Sequence, residues 1–190
     1  GRMADIEWFF QDAAQLLPQA WWALARHVPP AQRGALARYV PHALLHGEPA
    51  HALALAGAWR DWEAALTARS GDGQPATAAA ADAALLAKYR LQSHYLAAQC
   101  FFPSQGALAG CAALTGMPVA VLHGRLDWIC RPQSAWDVHQ AVPHSRLQWI
   151  DQAGHSPYEP PMARALVGAI AHAAQHGHFR DWGQSAQAPD

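Results

Sequence analysis

Hydrophobic and polar positions in the last third of the chain follow a strand, helix, strand pattern. Residues 118–124 are an apolar run closed by a glycine, which is typical of a buried parallel strand. A shorter alternating run at 147–151 predicts a second strand, and residues 134–141 between the two have helical spacing. The pattern therefore predicts a βαβ unit, whose right-handed crossover brings both strand ends to the same edge of the sheet.

An acid and a histidine follow the two predicted strands. Asp127 lies three residues beyond Gly124, and His155 lies on the loop after residues 147–151. Open α/β sheets do their chemistry at the edge where such loops meet, so we expect the two side chains to touch. A carboxylate beside an imidazole is the orienting half of a nucleophilic triad. The structural alternative is that Asp127 caps a helix or a turn and that His155 is only a turn residue.

The sequence contains no recognisable nucleophile for this pair. In α/β-hydrolases the chain order is nucleophile, acid and histidine, with the nucleophile on a Gly-x-Ser-x-Gly turn. Asp127 and His155 occur in that order, but none of the serines or cysteines lies in such a turn. No His-Gly-Gly run offers an oxyanion hole either. We therefore expect these 190 residues to be inert by themselves.

Helical spacing dominates the chain outside this unit. Beyond His155, residues 162–175 predict an amphipathic helix that covers the sheet with Leu166, Ile170 and Ala173. Earlier helices are predicted at residues 4–27 with an interruption at Pro18, at 31–45, at 50–69, and from the alanine run at 78 to 99.

Composition and charge exclude several classes of protein. Hydrophobic residues make up 52% and charged residues 14% of the chain, which indicates an ordered globular protein. A net charge of −1 leaves no basic surface for nucleic acid. No signal-peptide pattern and no apolar run of about 20 residues occur, so we expect no membrane partner. Three cysteines without regular spacing fit a reducing compartment, and we expect a cytoplasmic protein.

Motifs for cofactors and metals are weak or absent. No Gly-x-Gly-x-x-Gly or phosphate loop occurs, so we expect no cofactor. His172, His176 and His178 have spacings that zinc sites use, but no carboxylate or cysteine accompanies them. Cations favour a helix C-terminus, which explains these histidines without a metal, and we predict no metal site.

Several stretches resemble the proline iminopeptidases (prolyl aminopeptidases), α/β-hydrolases that remove an N-terminal proline from peptides. Residues 123–130, His-Gly-Arg-Leu-Asp-Trp-Ile-Cys, and 153–160, Ala-Gly-His-Ser-Pro-Tyr-Glu-Pro, resemble the C-terminal part of that family. Upstream, residues 6–12 resemble the start of its helical cap, 58–63 its Trp-x-x-Trp-Glu motif, and 89–96 its Arg-Ile-Glu-x-His-Tyr-Phe motif. The resemblance keeps this order over most of the chain.

The resemblance implies the fold class and the domains. It implies an α/β-hydrolase fragment, with a helical cap (lid) domain at 1–112, the C-terminal part of the catalytic domain at 113–178 and a tail at 179–190. Asp127 would be the triad acid and His155 the triad base. The family's N-terminal half, which carries the oxyanion loop and the serine, would be missing or supplied by a separate chain.

The resemblance also implies a peptide substrate with a free N-terminus. The family holds the substrate amine with two cap glutamates, of which Glu63 matches the first, while Gln92 stands at the second. Phe9 or Phe10 would line the proline pocket. The structural alternative for these two aromatics is that they pack a helix, and the alternative for Glu63 is that it is a solvated surface residue. The amide of Gln92 keeps the hydrogen-bond acceptor of a glutamate but removes its charge. Leu96 stands where the resembled motif at 89–96 ends in an aromatic residue. Hydrolysis of another small amide or ester, or a non-catalytic truncated chain, is the alternative function.

Overall fold

The computed structural model describes residues 2–68, 80–102 and 106–183. Contacts divide these residues into two compact units, the first ending at residue 102 and the second beginning at 106. Within the described ranges, none of the helices combines the length and the hydropathy that a bilayer span requires.

The described part of the first unit is helical throughout. Its α-helices are α1 (Arg2–Phe10), α2 (Pro18–Ala25), α3 (Leu36–His46), α4 (Pro49–Ala68) and α5 (Ala83–Ala97). Short 3-10 helices join them at Asp12–Gln15 and Pro30–Ala35, and another at Gln99–Phe101 follows α5.

Several helix boundaries differ from the prediction. The interruption expected at Pro18 comes earlier, because α1 ends at Phe10 and Pro18 is the first residue of α2. Two other helices begin later than expected. The helix expected from residue 31 is a 3-10 helix over Pro30–Ala35, and the α-helix itself begins at Leu36. The helix expected from the alanine run at 78 begins at Ala83, and residues 78 and 79 lie outside the described residues. Asp82 explains this start, because its side chain accepts a 2.8 Å hydrogen bond from the backbone N–H of Leu85. A capping carboxylate sets the first turn more firmly than alanine propensity does.

An aromatic cluster forms the centre of the first unit. Trp59 and Trp62 on α4 are each 1% exposed. The rings of Phe10 and Tyr89 lie 4.9 and 4.8 Å from the ring of Trp59. The indole N–H of Trp62 donates to the backbone oxygen of Phe9 at 3.0 Å, so its polar edge is satisfied in the core. Buried leucines complete the core: Leu24, Leu36, Leu44, Leu55 and Leu66.

The second unit contains the predicted strand, helix, strand arrangement. Strands β1 (Ala120–Gly124) and β2 (Arg146–Ile150) are parallel, with Ala120 opposite Arg146 and Gly124 opposite Ile150. Helix α6 (Pro132–Ala141) connects them, and α7 (Pro160–His176) follows β2. Both helices begin with proline, whose missing N–H costs nothing in the first turn. The prediction of two parallel strands around a helix is confirmed.

Helix α7 packs on the sheet with a different face from the one expected. Ile150, Ala153 and Met162 form a buried cluster, against which Leu166 packs. Ile170, which was expected on the same stripe, is 68% exposed, so that part of the prediction is wrong. The helix is rotated so that its buried side includes Met162, Leu166 and Ala169, the i, i+4, i+7 spacing of one face.

A 3-10 helix at Ala107–Leu114 contacts α6 and lies in the second unit. The sequence placed residues up to 112 with the cap. The contacts divide the chain before that point, at the gap between residues 102 and 106. The role of the first unit as a lid stays a prediction.

Candidate active site

The loops that follow β1 and β2 are held together by their backbones. The N–H of Arg125 donates to the oxygen of Ile150 at 3.1 Å, and the N–H of Leu126 donates to the oxygen of Ala153 at 2.9 Å. A Cβ on Gly124 would overlap the carbonyl oxygens of Ala153 and Gly154. Gly124 is therefore required by this close approach of two backbones, and the approach brings the Asp127 loop onto the His155 loop.

Asp127 and His155 are in contact. The Nδ1 atom of His155 lies 3.1 Å from Oδ2 of Asp127. The other carboxylate oxygen, Oδ1, accepts hydrogen bonds from the backbone N–H groups of Ile129 at 2.9 Å and Cys130 at 2.8 Å. The side chain of Asp127 is only 6% exposed, whereas that of His155 is 41% exposed. The acid is thus fixed from several sides, and the imidazole that it orients is open to solvent.

The surroundings of His155 favour its protonated form. Its hydrogen bond with Asp127, and after that its hydrogen bond with the side chain of Cys130, raise the pKa of His155 to about 10, although burial acts in the opposite direction. At neutral pH the two side chains therefore form an ion pair.

His123 on β1 has the opposite electrostatic character. It is 9% exposed, and burial lowers the pKa of its imidazole more than the charge of Asp127 and a hydrogen bond with the backbone of Cys130 raise it. Its ring stands edge-on to that of Trp149 at 5.6 Å. Among the described residues, no hydrogen-bond partner faces its Nε2 atom. His123 is therefore a neutral side chain that packs against an aromatic ring, close to the charged pair of Asp127 and His155.

Glu159 shapes the loop that carries His155. It is 3% exposed, and its carboxylate accepts hydrogen bonds from the backbone N–H of Gly154 and, at 3.1 Å, from that of Ser156. The two donors lie on either side of His155, so this buried acid fixes the backbone from which the imidazole projects. Sequence reasoning assigned no role to Glu159. The signal was present in the Ser-x-x-Glu spacing of Ser156 and Glu159, which is typical of a capping box.

Cys130 is a third chemically active side chain at this position. One ligand atom each from Asp127, Cys130 and His155 all lie within 4.8 Å of one another, and Cys130 is exposed. Sequence reasoning searched the cysteines for a nucleophile turn and used them to infer a reducing compartment, but it did not predict that Cys130 lies beside the pair. A side chain three residues past Asp127 reaches the pair because the loop turns back through the hydrogen bonds to Oδ1.

The histidines near the end of α7 have the spacing of zinc ligands in the sequence. The rings of His172 and His176 are 4.4 Å apart, and each lies 6.2 Å from that of His178. Among the described residues, the one triplet whose ligand atoms converge is the triplet with Asp127, not this cluster.

Glu63 in the first unit holds a specific set of contacts. Its Oε2 atom accepts a 2.7 Å hydrogen bond from the hydroxyl of Tyr89, and Nζ of Lys88 lies 3.9 Å away. Burial, and then the negative charge of Glu63, raise the pKa of Tyr89 far above its usual range, so the phenol remains a donor. The Glu63 side chain is 29% exposed. A half-buried carboxylate held by a phenol can still attract a cation, but binding of a substrate amine stays a prediction.

The other predicted substrate contacts lie in or near the same core. Phe9 and Phe10 are 8% and 1% exposed, and their rings pack edge to face 4.9 Å apart. In this unit they act as core residues, as the packing alternative expected, and a role in a proline pocket stays a prediction. Gln92 is half-buried on α5, three residues after Tyr89 and so on the same side of the helix.

Leu96, which replaces an aromatic of the resembled motif, lines a cavity. The cavity has a volume of about 300 Å³ and lies between α1, α3 and α5. Ile6, Arg38 and His42 line it as well, so its wall is mixed in polarity.

Comparison with curated proteins finds proline iminopeptidases among the relatives of this chain. Proline iminopeptidases from Xanthomonas citri and Xylella fastidiosa are 35% and 34% identical to this chain over 170 residues, which is 88% of the chain. The proline iminopeptidase of Arabidopsis thaliana is 31% identical over 171 residues. The chain is homologous to the proline iminopeptidases. No family model matches it.

The chain spans about half the length of the proline iminopeptidases it matches, 54% of the two bacterial proteins and 45% of the plant protein. This agrees with the C-terminal part of the family that the motifs indicated. The match covers 88% of the chain. Even if all the unmatched residues stood at one end of the chain, they would not extend as far as Glu63 or His155. Glu63, Asp127 and His155 therefore all lie within the span that the chain shares with proline iminopeptidases.

Proposed function

We propose that this chain is the cap and the C-terminal part of an α/β-hydrolase of the proline iminopeptidase type, a serine aminopeptidase. The observation that carries the proposal is the contact between Asp127 and His155, with the acid fixed by backbone donors and the imidazole exposed. Homology to proline iminopeptidases supports the same assignment.

The small sheet supports the α/β-hydrolase part of the proposal. Parallel sheets are normally covered on both faces and contain more than two strands. Among the described residues β1 pairs with β2 alone, and Val121 and Leu122 on β1 are only half-buried. Further strands of a larger sheet would pair with the open edges and bury these side chains. The serine and the oxyanion hole would come from that part of the protein.

The proposed reaction is acyl transfer from the N-terminal residue of a peptide. The serine hydroxyl attacks the carbonyl carbon, and Nε2 of His155 takes the hydroxyl proton while Asp127 stabilises the imidazolium. Collapse of the tetrahedral intermediate breaks the C–N bond, and His155 returns the proton to the leaving amine. Water then releases the amino acid by the same two proton transfers. The base must start neutral, and burial of His155 by the rest of the enzyme would lower its pKa towards that state.

Glu63 is proposed to bind the free amine of the substrate. A partly buried carboxylate attracts an ammonium more strongly than an exposed one, and Tyr89 holds the Glu63 side chain in one position. Gln92 would add a hydrogen bond without a second charge. Phe9 and Phe10 would contribute apolar surface next to the N-terminal proline.

A second candidate function is hydrolysis of another small amide or ester. Gln92 and Leu96 favour it, because one removes a charge and the other an aromatic ring from the resembled substrate motif. Comparison of proline amides with simple esters in the restored enzyme would separate these two functions. A non-catalytic chain is the third candidate, and it predicts no turnover of either substrate.

The test is complementation. The chain is produced together with the N-terminal half of the Xanthomonas citri proline iminopeptidase, and hydrolysis of a proline anilide is measured. We expect activity with both parts, no activity with this chain alone, and loss of activity in His155→Ala. His144→Ala, which changes an exposed histidine elsewhere in the second unit, should keep the activity. Equal turnover in His155→Ala, or stoichiometric fluorophosphonate labelling of the chain alone, would contradict the proposal.

A further inference from the structure

Three different metal-binding donors converge at the end of β1. A carboxylate oxygen of Asp127, the sulfur of Cys130 and a ring nitrogen of His155 lie within 4.8 Å of one another. We propose that these three side chains bind a divalent cation of the zinc class. The sequence motifs did not indicate this site, since its ligands come from two separate loops.

The donor set matches the chemistry of zinc and cadmium. Zn²⁺ accepts thiolate, imidazole and carboxylate ligands in tetrahedral sites, whereas Mg²⁺ and Ca²⁺ prefer oxygen ligands alone. Metal–ligand bonds of about 2.0–2.3 Å place tetrahedral donors about 3.3–3.8 Å apart. Small side-chain movements close the remaining gap. Cys130 and His155 are exposed, so such movements do not displace a packed core.

The carboxylate is already positioned to act as a ligand. Oδ1 of Asp127 accepts the N–H groups of Ile129 and Cys130, while Oδ2 faces His155. Backbone bonds of this kind orient a ligand and are kept when a metal binds. On binding, the Cys130 thiol and the protonated His155 imidazole each give one proton to solvent, because a metal ligand must be a thiolate or a neutral imidazole. The thiolate and the carboxylate then balance the two positive charges, and water can take the fourth, solvent-facing position.

A bound cation has a consequence for catalysis. Coordination of either ring nitrogen of His155 prevents that imidazole from acting as a base. A cation bound to Nε2 occupies the atom that must accept the proton, and a cation bound to Nδ1 breaks the contact between Nδ1 and Asp127. Zinc would therefore inhibit the complete enzyme reversibly, and a chelator would restore it. This consequence rests on the proposed function, whereas cation binding does not.

The test is titration of the 190-residue chain with Cd²⁺, a spectroscopic substitute for Zn²⁺. We expect one equivalent to produce the ultraviolet charge-transfer absorption of a Cd²⁺–thiolate bond, and excess Zn²⁺ to displace it. Cys130→Ser should abolish the absorption. Cys100→Ser and Cys111→Ser are the matched controls and should keep it, because neither belongs to the converging triplet.

Variants of the other two ligands extend the test. We expect Asp127→Asn and His155→Gln each to weaken Cd²⁺ binding by more than about 100-fold, since loss of an outer-shell partner alone costs about 10–100-fold. The double variant His172→Gln/His176→Gln should bind like the parent chain. Absorption that survives in Cys130→Ser, or that disappears in Cys111→Ser, would overturn the proposal.

Cadmium NMR of the unmodified chain gives a result that does not depend on the folding of any variant. A resonance in the range of mixed sulfur, nitrogen and oxygen ligation supports the site. A resonance typical of nitrogen and oxygen ligands without sulfur, or none at one equivalent of Cd²⁺, rules the site out.

Discussion

The Nδ1 atom of His155 lies 3.1 Å from Oδ2 of Asp127, although 28 positions separate the two residues in the chain. Two parallel strands bring their loops to one sheet edge, and backbone hydrogen bonds from Arg125 and Leu126 join those loops. The pair therefore depends on the packing of the second unit.

The first prediction concerns the close approach at Gly124. Gly124→Ala should lower the free energy of unfolding by about 1–3 kcal/mol, the usual cost of overpacking, because its Cβ would overlap two backbone oxygens. The measurement is urea unfolding of the chain. Gly168→Ala on α7 is the control: a Cβ there has no neighbour within 4 Å, and it should stabilise the helix by about 0.5–1 kcal/mol. Equal effects of the two substitutions would show that Gly124 is not under steric constraint.

The second prediction concerns pH. The pKa of His155 is raised from 6.5 to about 10 in the folded chain, chiefly by its hydrogen bond with Asp127. A raised pKa means that the pair stabilises the fold fully below pH 6.5 and that this contribution is lost as the pH rises through about 10. Urea unfolding across this range should therefore show falling stability. The fall attributable to His155 should be much smaller in Asp127→Asn, and an identical pH dependence in both proteins would refute the assignment.

The third prediction concerns the buried acid of the His155 loop. Glu159→Ala should cost about 1–3 kcal/mol, because the N–H groups of Gly154 and Ser156 lose their acceptor. Glu159→Gln should cost less, since it keeps an oxygen acceptor. Asp151→Asn is the surface control. Asp151 pairs with Arg125 at 2.7 Å, but its side chain is 81% exposed, so we expect a change of at most about 1 kcal/mol. Chemical denaturation measures all three, and an imidazole NMR shift of His155 should accompany only the Glu159 changes.

The fourth prediction concerns the hydrogen bond between Tyr89 and Glu63. Tyr89→Phe should lower the free energy of unfolding by about 1.5–3 kcal/mol, the range for hydrogen bonds to charged groups. Tyr95→Phe removes a hydroxyl from a side chain on the same helix that is 48% exposed, and it should have little effect. Thermal unfolding of the two variants checks the difference. In the complemented enzyme, Tyr89→Phe should also raise KM for proline anilide more than it lowers kcat, because it loosens Glu63.

Local patterns in the sequence were sufficient for much of the fold. The apolar run that ends at Gly124 and the alternating run at 147–151 predicted the two strands, and helical spacing at 134–141 and 162–175 predicted α6 and α7. These features depend on a few neighbouring residues, so they can be read without tertiary information. The meeting of Asp127 and His155 followed from a general rule of βαβ topology.

What the sequence determined by itself is the order of the strands and helices, the pairing of an acid with a histidine, and the family resemblance. The tertiary structure decided the rest: that Ile170 faces solvent, that Gly124 must lack a side chain, that Glu159 holds the histidine loop, and that Cys130 joins the pair. The physical reason is that these features depend on how one segment is rotated and spaced against another that is distant in the chain. No local pattern encodes that rotation, because it is set by the side chains and backbone groups that the two segments share.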